Sequence, residues 1–162
     1  TEPLSLLVKV DRASLSGWLE VRSILEVESA TLAAQRLTPE DRDALSAALQ
    51  RLESAGSDPL AYLDADIGFH LAIARATRNT ALVRLLRPVV QPLRAHLQEA
   101  ALMTQARAAA AREHRTIASC ILAGDAAGAR AAMEAHLSRV ADEIRQVVRE
   151  PAADGHQVLA DG

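Results

Sequence analysis

The sequence is poor in several features, and each shortage excludes something. It holds one cysteine, Cys120, in 162 residues, which rules out a disulfide framework and any zinc site built from several thiolates. Aromatic residues make up 2%, with seven glycines and six prolines, leaving little from which to build a β-sandwich or barrel. No apolar run approaches the roughly 20 residues of a bilayer span, and no basic-then-apolar signal region opens the chain. A chain with no membrane segment, located in the cytoplasm, is therefore expected. Positive charge is not in excess: the formal net charge is −3, whereas nucleic-acid-binding modules are typically basic. The first residue is Thr rather than Met, which suggests a mature or trimmed fragment.

What is present points one way. The chain is 49% hydrophobic and 24% charged, close to an average globular protein, and Ala, Leu and Arg, all strong helix formers, dominate. About one all-α domain is expected over residues 1–150, with a solvated tail over 151–162.

Punctuation brackets the helices. Pro3 to Leu7 is long enough for two turns, and a long helix then spans about Ser14 to Leu37. Thr38-Pro39, with Asp41 three residues after the cap, opens the next helix, which ends near Gly56. Asp58-Pro59 opens a helix to about Thr77, and Asn79 caps one running toward Met103. Pro88 and Pro92 lie inside that last pattern, so it must kink or split. A helix from Gln105 to Ala123 is closed by Gly124, and Asp125 caps the final one, which runs to about Arg149 before Pro151. Six to seven helices with short connections favour an antiparallel bundle, whose sites lie between facing helices.

Polar residues on apolar faces are the informative ones. Leu63, Ile67, Ile73 and Ala74 form one stripe, and Asp66 and His70, four apart, lie on or beside it. His114 leads the face of Ile117, Ala118 and Ile121. His136 falls among Met133, Leu137, Val140, Ile144 and Val147. One carboxylate and three imidazoles on three helices thus point toward a common interior. A buried, unpaired carboxylate costs several kcal/mol, and a divalent cation held with neutral imidazoles removes that cost. The ordinary alternative is a set of hydrogen-bonded core residues with no metal. His96 reads as a flank residue, His156 as part of the tail, and Cys120, about 240° around the helix from His114, as a small packed side chain. Arg22 is directed inward by Leu15, Trp18, Leu25 and Leu32. It is either a local partner of Glu26 or a guanidinium fork for a carboxylate ligand.

These segments resemble a known family. Glu20-Val21-Arg22 with Leu25-Glu26 and Ala33-Ala34 is similar to the opening helix of the FadR-type C-terminal effector (FCD) domain of GntR-family bacterial transcription regulators. Asp66-Ile67-Gly68-Phe69-His70, Glu113-His114 and Met133-Glu134-Ala135-His136 resemble its metal segments. The resemblance spans about residues 4 to 148. It implies an all-α antiparallel bundle around a divalent metal held by Asp66, His70, His114 and His136, with zinc first and nickel, manganese or iron as other candidates. It also implies a small organic carboxylate effector, Arg22 and Asn79 lining the cavity, and a homodimer. The segment before Ser14 suggests the seven-helix subgroup. DNA contact is expected only through a winged helix-turn-helix domain not present in this chain. A metal-dependent enzyme acting on a small carboxylate is the alternative, because a metal with open positions can activate water. It has little support here: there is no H-E-x-x-H and no repeated Glu-x-x-His pair.

Overall fold

The computed structural model describes residues 14–102 and 104–149. The opening segment from Pro3 to Leu7, with the subgroup it suggested, and the tail with His156 lie outside them. Among the described residues the chain forms seven α-helices and no strand. They are α1 (Leu15–Arg36), α2 (Pro39–Ser54), α3 (Pro59–Ala76), α4 (Thr80–Val90), α5 (Arg94–Ala101), α6 (Thr104–Leu122) and α7 (Ala126–Arg149). The antiparallel bundle expected from the sequence is the one observed.

Local chemistry accounts for the boundaries. The Asp41 amide donates to the Thr38 hydroxyl at 3.2 Å, and the Asp41 carboxylate accepts from the Thr38 amide at 3.3 Å, so two otherwise orphaned donors are satisfied reciprocally. Asp58 accepts from the Leu60 amide at 2.9 Å, and Asp125 from the Gly128 amide at 2.9 Å. Gly124 has φ +74°; its amide donates to the Ile121 carbonyl at 3.0 Å and the Asp125 amide to the Cys120 carbonyl at 2.9 Å, the paired bonds of a Schellman ending. The expected break between Thr80 and Met103 is a split. Pro88 is tolerated inside α4, while Pro92 sits in a 3₁₀ turn, Gln91–Leu93, from which α5 starts.

Helix α3 is the axis of the bundle, packed by α1, α2, α4 and α5 and buried on most sides. Two apolar clusters form around it. One gathers Leu45, Phe69, Ile73, Ile117, Ile121 and Met133; the other gathers Leu19, Leu63, Leu86, Leu93, Leu97 and Ile144. On α1 the first cluster begins at Val27 and the second ends at Leu19, and between them Arg22 and Glu26 are buried. On α7 His136 lies among first-cluster residues, and the second cluster is reached at Ile144. On α3 the clusters interleave, with Phe69 and Ile73 in the first and Leu71 and Ala74 in the second, so they lie on two sides of that helix and the buried polar residues form a layer inside the bundle.

Gly124 offers a test of the fold away from that layer. A side chain at its left-handed φ is strained by roughly 1–2 kcal/mol. Gly124→Ala is expected to lower unfolding free energy by about that amount in denaturant melts, with metal and ligand binding unchanged.

Candidate metal centre

The polar layer brings together residues from four helices. Asp66 and His70 come from α3, His114 from α6, His136 from α7, and Arg22 with Glu26 from α1. All six are buried, with His114 fully so and His70 and His136 at 2% and 1% exposure. The three histidines each offer one ring nitrogen, and these lie within 4.8 Å of one another. Asp66 Oδ1 is 3.1 Å from His114 Nε2 and 4.0 Å from His70 Nε2. The ring centroids are 4.5 Å apart for His114 and His136, 5.3 Å for His70 and His136, and 5.5 Å for His70 and His114. The Phe69 ring edges up to His114 at 5.1 Å and to His70 at 5.7 Å, an apolar floor that keeps water from one side.

Carboxylates back two of the imidazoles. Glu113 Oε2 is 2.7 Å from His136 Nδ1, and Glu26 Oε2 touches His70 Nδ1. With Nδ1 engaged in this way, Nε2 is the nitrogen each ring turns to the centre, the usual arrangement behind metal-bound histidine. Glu113 is itself held by Arg139, whose Nε and Nη2 donate to it at 2.6 and 2.8 Å. Arg139 also pairs with Glu143.

The electrostatics follow from burial and these neighbours. Burial would raise Glu26, but Arg22 and His70 overcome it and hold the carboxyl at about 2. Asp66 is driven well below the ordinary range in the same way, by His114 first. Burial would likewise raise Glu113, yet His136 and Arg139 keep it at about 2. Burial dominates at His136, which falls to about 4 despite Glu113, so its ring is neutral at pH 7, as a ligand must be. Arg22 stays charged: burial would lower it, but Glu26 and Asp66 raise it.

A divalent cation fits this donor set. Once the contacts of Glu26 with His70 Nδ1 and of Asp66 with His114 Nε2 are counted, His70 Nε2 and His114 Nδ1 are still buried without a hydrogen-bond partner. Orphaned buried ring nitrogens are costly, and imidazoles that bring one nitrogen each within 4.8 Å of one another, beside the Asp66 carboxylate, suit a cation. With neutral imidazoles the layer holds one cation, Arg22, against two carboxylates, Glu26 and Asp66; a divalent ion changes the sign of that balance.

A cavity of about 40 Å³ opens beside the layer, lined by Arg22, Asp66 and His136 and, further out, by Tyr62, Arg107 and Arg139. One water needs roughly 10–15 Å³ on such a measure, so the space suits a few heavy atoms. Arg22 combines both expectations: its Nε donates to Glu26 at 2.7 Å, while Nη1 is free and the residue lines the cavity. Asn79 is a correction. It was expected to line the cavity, but it is exposed and its side-chain oxygen accepts from the Ala81 amide at 3.1 Å to cap α4. His96 is half-buried and outside the cluster, and Cys120 packs against the first apolar cluster. Glu113, Arg139 and Glu26 as the backing of His70 were missed. Glu113 meets His136 and Arg139 only through α6–α7 packing, which no sequence spacing encodes. Tyr62 was within reach, since it precedes Asp66 by four on α3.

Comparison with known proteins gives a consistent picture. The family model described as "FCD domain" matches residues 18–139. The HTH-type transcriptional regulator LutR of Bacillus subtilis (strain 168) is 33% identical over 149 residues, covering 89% of this chain and 68% of that protein. The putative L-lactate dehydrogenase operon regulatory protein of Escherichia coli (strain K12) is 34% identical over 143 residues, covering 86% of this chain and 55% of that protein. This chain thus spans only part of each relative. Among solved structures, Streptococcus agalactiae GntR superposes with a TM-score of 0.73 at 27% identity, covering 86% of this chain and 63% of that one. E. coli McbR/YncC, at 20% identity, shares the fold with a TM-score of 0.75 over 85% of this chain and 70% of that one.

The layer predicts an acid response in chelator-treated protein. Below about pH 6.5 the unfolded chain takes up a proton that folded His136 refuses until about pH 4, so stability falls across that interval. Glu26 and Glu113, at about 2 against an ordinary 4.5, are protonated first in the unfolded chain and extend the loss as pH falls from 4.5 toward 2. Melting temperature against pH should decline in these two stages, and His136→Gln should flatten the upper one.

Proposed function

The chain belongs to the FCD-domain family of GntR-type transcription regulators, and from that premise we propose that it senses a small carboxylate through a divalent metal held by Asp66, His70, His114 and His136. The relatives are named as regulators, and this chain is a regulator domain rather than an enzyme. The single observation that carries the metal reading is the group of three buried imidazoles within 4.8 Å of one another, beside Asp66 at 3.1 Å from His114. Nitrogen and oxygen donors suit zinc first, with nickel, manganese or iron as alternatives set by availability.

When bound, the ion supplies a Lewis-acidic centre with positions open to a carboxylate oxygen. The chain's residues do the rest. Glu26 and Glu113 hold His70 and His136 in the tautomer that leaves Nε2 free. Arg22 Nη1 offers a charged donor on the cavity wall, and the small cavity favours short acids. The operon in the name of the E. coli relative makes L-lactate a sensible first probe for this chain. A ligand that bridges Arg22 on α1 to residues on α3, α6 and α7 favours whichever bundle arrangement lets all four helices close on it. In the whole protein that preference would be passed, in the cytoplasm, to a DNA-binding winged helix-turn-helix domain outside this chain.

Self-association belongs to the same proposal. Val21 and Ile24 on α1 and Leu85 on α4 are exposed at 43%, 63% and 53%, and α1 packs against α4. They supply an apolar face for a second copy. Sedimentation is expected to show a dimer that Ile24→Asp converts to monomer; a monomeric wild type rejects this part.

Elemental analysis is expected to find close to one divalent ion per protomer, lost in His114→Ala. At about 100 times Kd, a bound acid should add roughly 2.7 kcal/mol of stability. Arg22→Ala also strips Glu26 of its partner, so Arg22→Lys is the cleaner variant: it keeps a charge near Glu26 but not the planar fork. It should retain metal and apo stability while losing most of the acid-induced shift. Metal-free protein, unaffected by added zinc, nickel or manganese, would contradict the proposal.

A further inference from the structure

Beyond the metal and Arg22, the cavity wall has one more unsatisfied donor. Tyr62 lies one turn before Asp66 on α3, and its hydroxyl is buried without a hydrogen-bond partner in the wall that also carries Arg22 and His136. The cations further out have partners of their own. Arg139 directs all three guanidinium nitrogens to Glu113 and Glu143, and Arg107 donates through Nη1 to the Gly56 and Ser57 carbonyls at 3.4 and 3.2 Å. The fully buried donors of the wall without a hydrogen-bond partner are one cationic group, Arg22 Nη1, and one neutral group, the Tyr62 phenol.

We infer that Tyr62 determines specificity by donating to a neutral oxygen, a hydroxyl or carbonyl, on an effector whose carboxylate is held at the Asp66 end of the cavity. This rests on the metal-assisted carboxylate reading and narrows it. Arg139 has no nitrogen left for a second carboxylate, whereas a neutral oxygen finds an idle O–H. The phenol is protonated at neutral pH, because burial and then the nearby Asp66 charge push its pKa up. The cavity of about 40 Å³ leaves room for only a short carbon chain between the two polar ends of the effector. Leu63, Leu97, Ala100 and Val140 of the same wall suit an unbranched apolar stem between them.

The test uses the 162-residue chain loaded with zinc, titrated calorimetrically with straight-chain ω-hydroxy acids of about three to five carbons and with their unsubstituted counterparts. In the wild type at least one hydroxy acid should bind on the order of threefold to tenfold more tightly than its counterpart, the worth of one neutral hydrogen bond. Tyr62→Phe keeps the ring and its packing; it should abolish that preference and leave the unsubstituted acids unchanged. A preference that survives Tyr62→Phe, equal weakening of both series, or a wild type without preference overturns the role of Tyr62. In those cases zinc-dependent binding of the unsubstituted acids leaves the carboxylate reading standing. If no acid of either series binds the zinc-loaded chain, that reading fails and this one with it.

Discussion

Asp66 and the three imidazoles around it are the constraint to which the rest of the bundle answers. A carboxylate at the centre of a helical domain is tolerated only if charge or hydrogen bonds meet it, and here the answer comes from three helices. Asp66 lies 3.1 Å from His114, and His70 and His136 complete the group. Each added polar atom needs its own partner in turn. Glu26 backs His70 and is balanced by Arg22; Glu113 backs His136 and is balanced by Arg139. The chain of compensation runs from the interior to the half-buried Arg139 and Glu143.

This arrangement explains why the apolar core is divided. A single continuous core would place Leu or Ile where Arg22, Glu26, Asp66 and His136 stand, and would be easier to stabilise, since replacing buried ionic groups with packed apolar ones is often neutral or favourable. The protein instead keeps two clusters on two sides of α3 and buries a charged layer within the bundle. Such a layer suits sensing. It joins α1, α3, α6 and α7, so whatever binds there acts on helices from both ends of the sequence.

Much of this was legible in the sequence because helix signals are local. Thr38, Asp58, Asn79, Gly124 and Asp125 mark their boundaries through bonds to residues two to five positions away. The inward placement of Asp66, His70, His114 and His136 follows from their phase against neighbouring apolar residues. What could not be read were pairings across helices. Glu113 meets His136 because α6 and α7 cross at that height, and Glu26 meets His70 because α1 leans on α3. Arg22 looked like a choice between a structural ion pair and a ligand fork; its geometry allows both, with Nε on Glu26, Nη1 unpaired and the residue in the cavity wall. Asn79 was misplaced for a local reason: a side chain committed to capping a helix is not free to face a ligand.

The most direct test of the account is X-ray absorption at the metal edge of the zinc-loaded chain. The account predicts a first shell of light donors at about 2.0–2.1 Å, with the outer-shell scattering of three imidazoles. In His114→Ala that scattering should fall to two imidazoles, or zinc should be lost. A spectrum without imidazole scattering, or one that His114→Ala leaves unaltered, would place the ion elsewhere and contradict it.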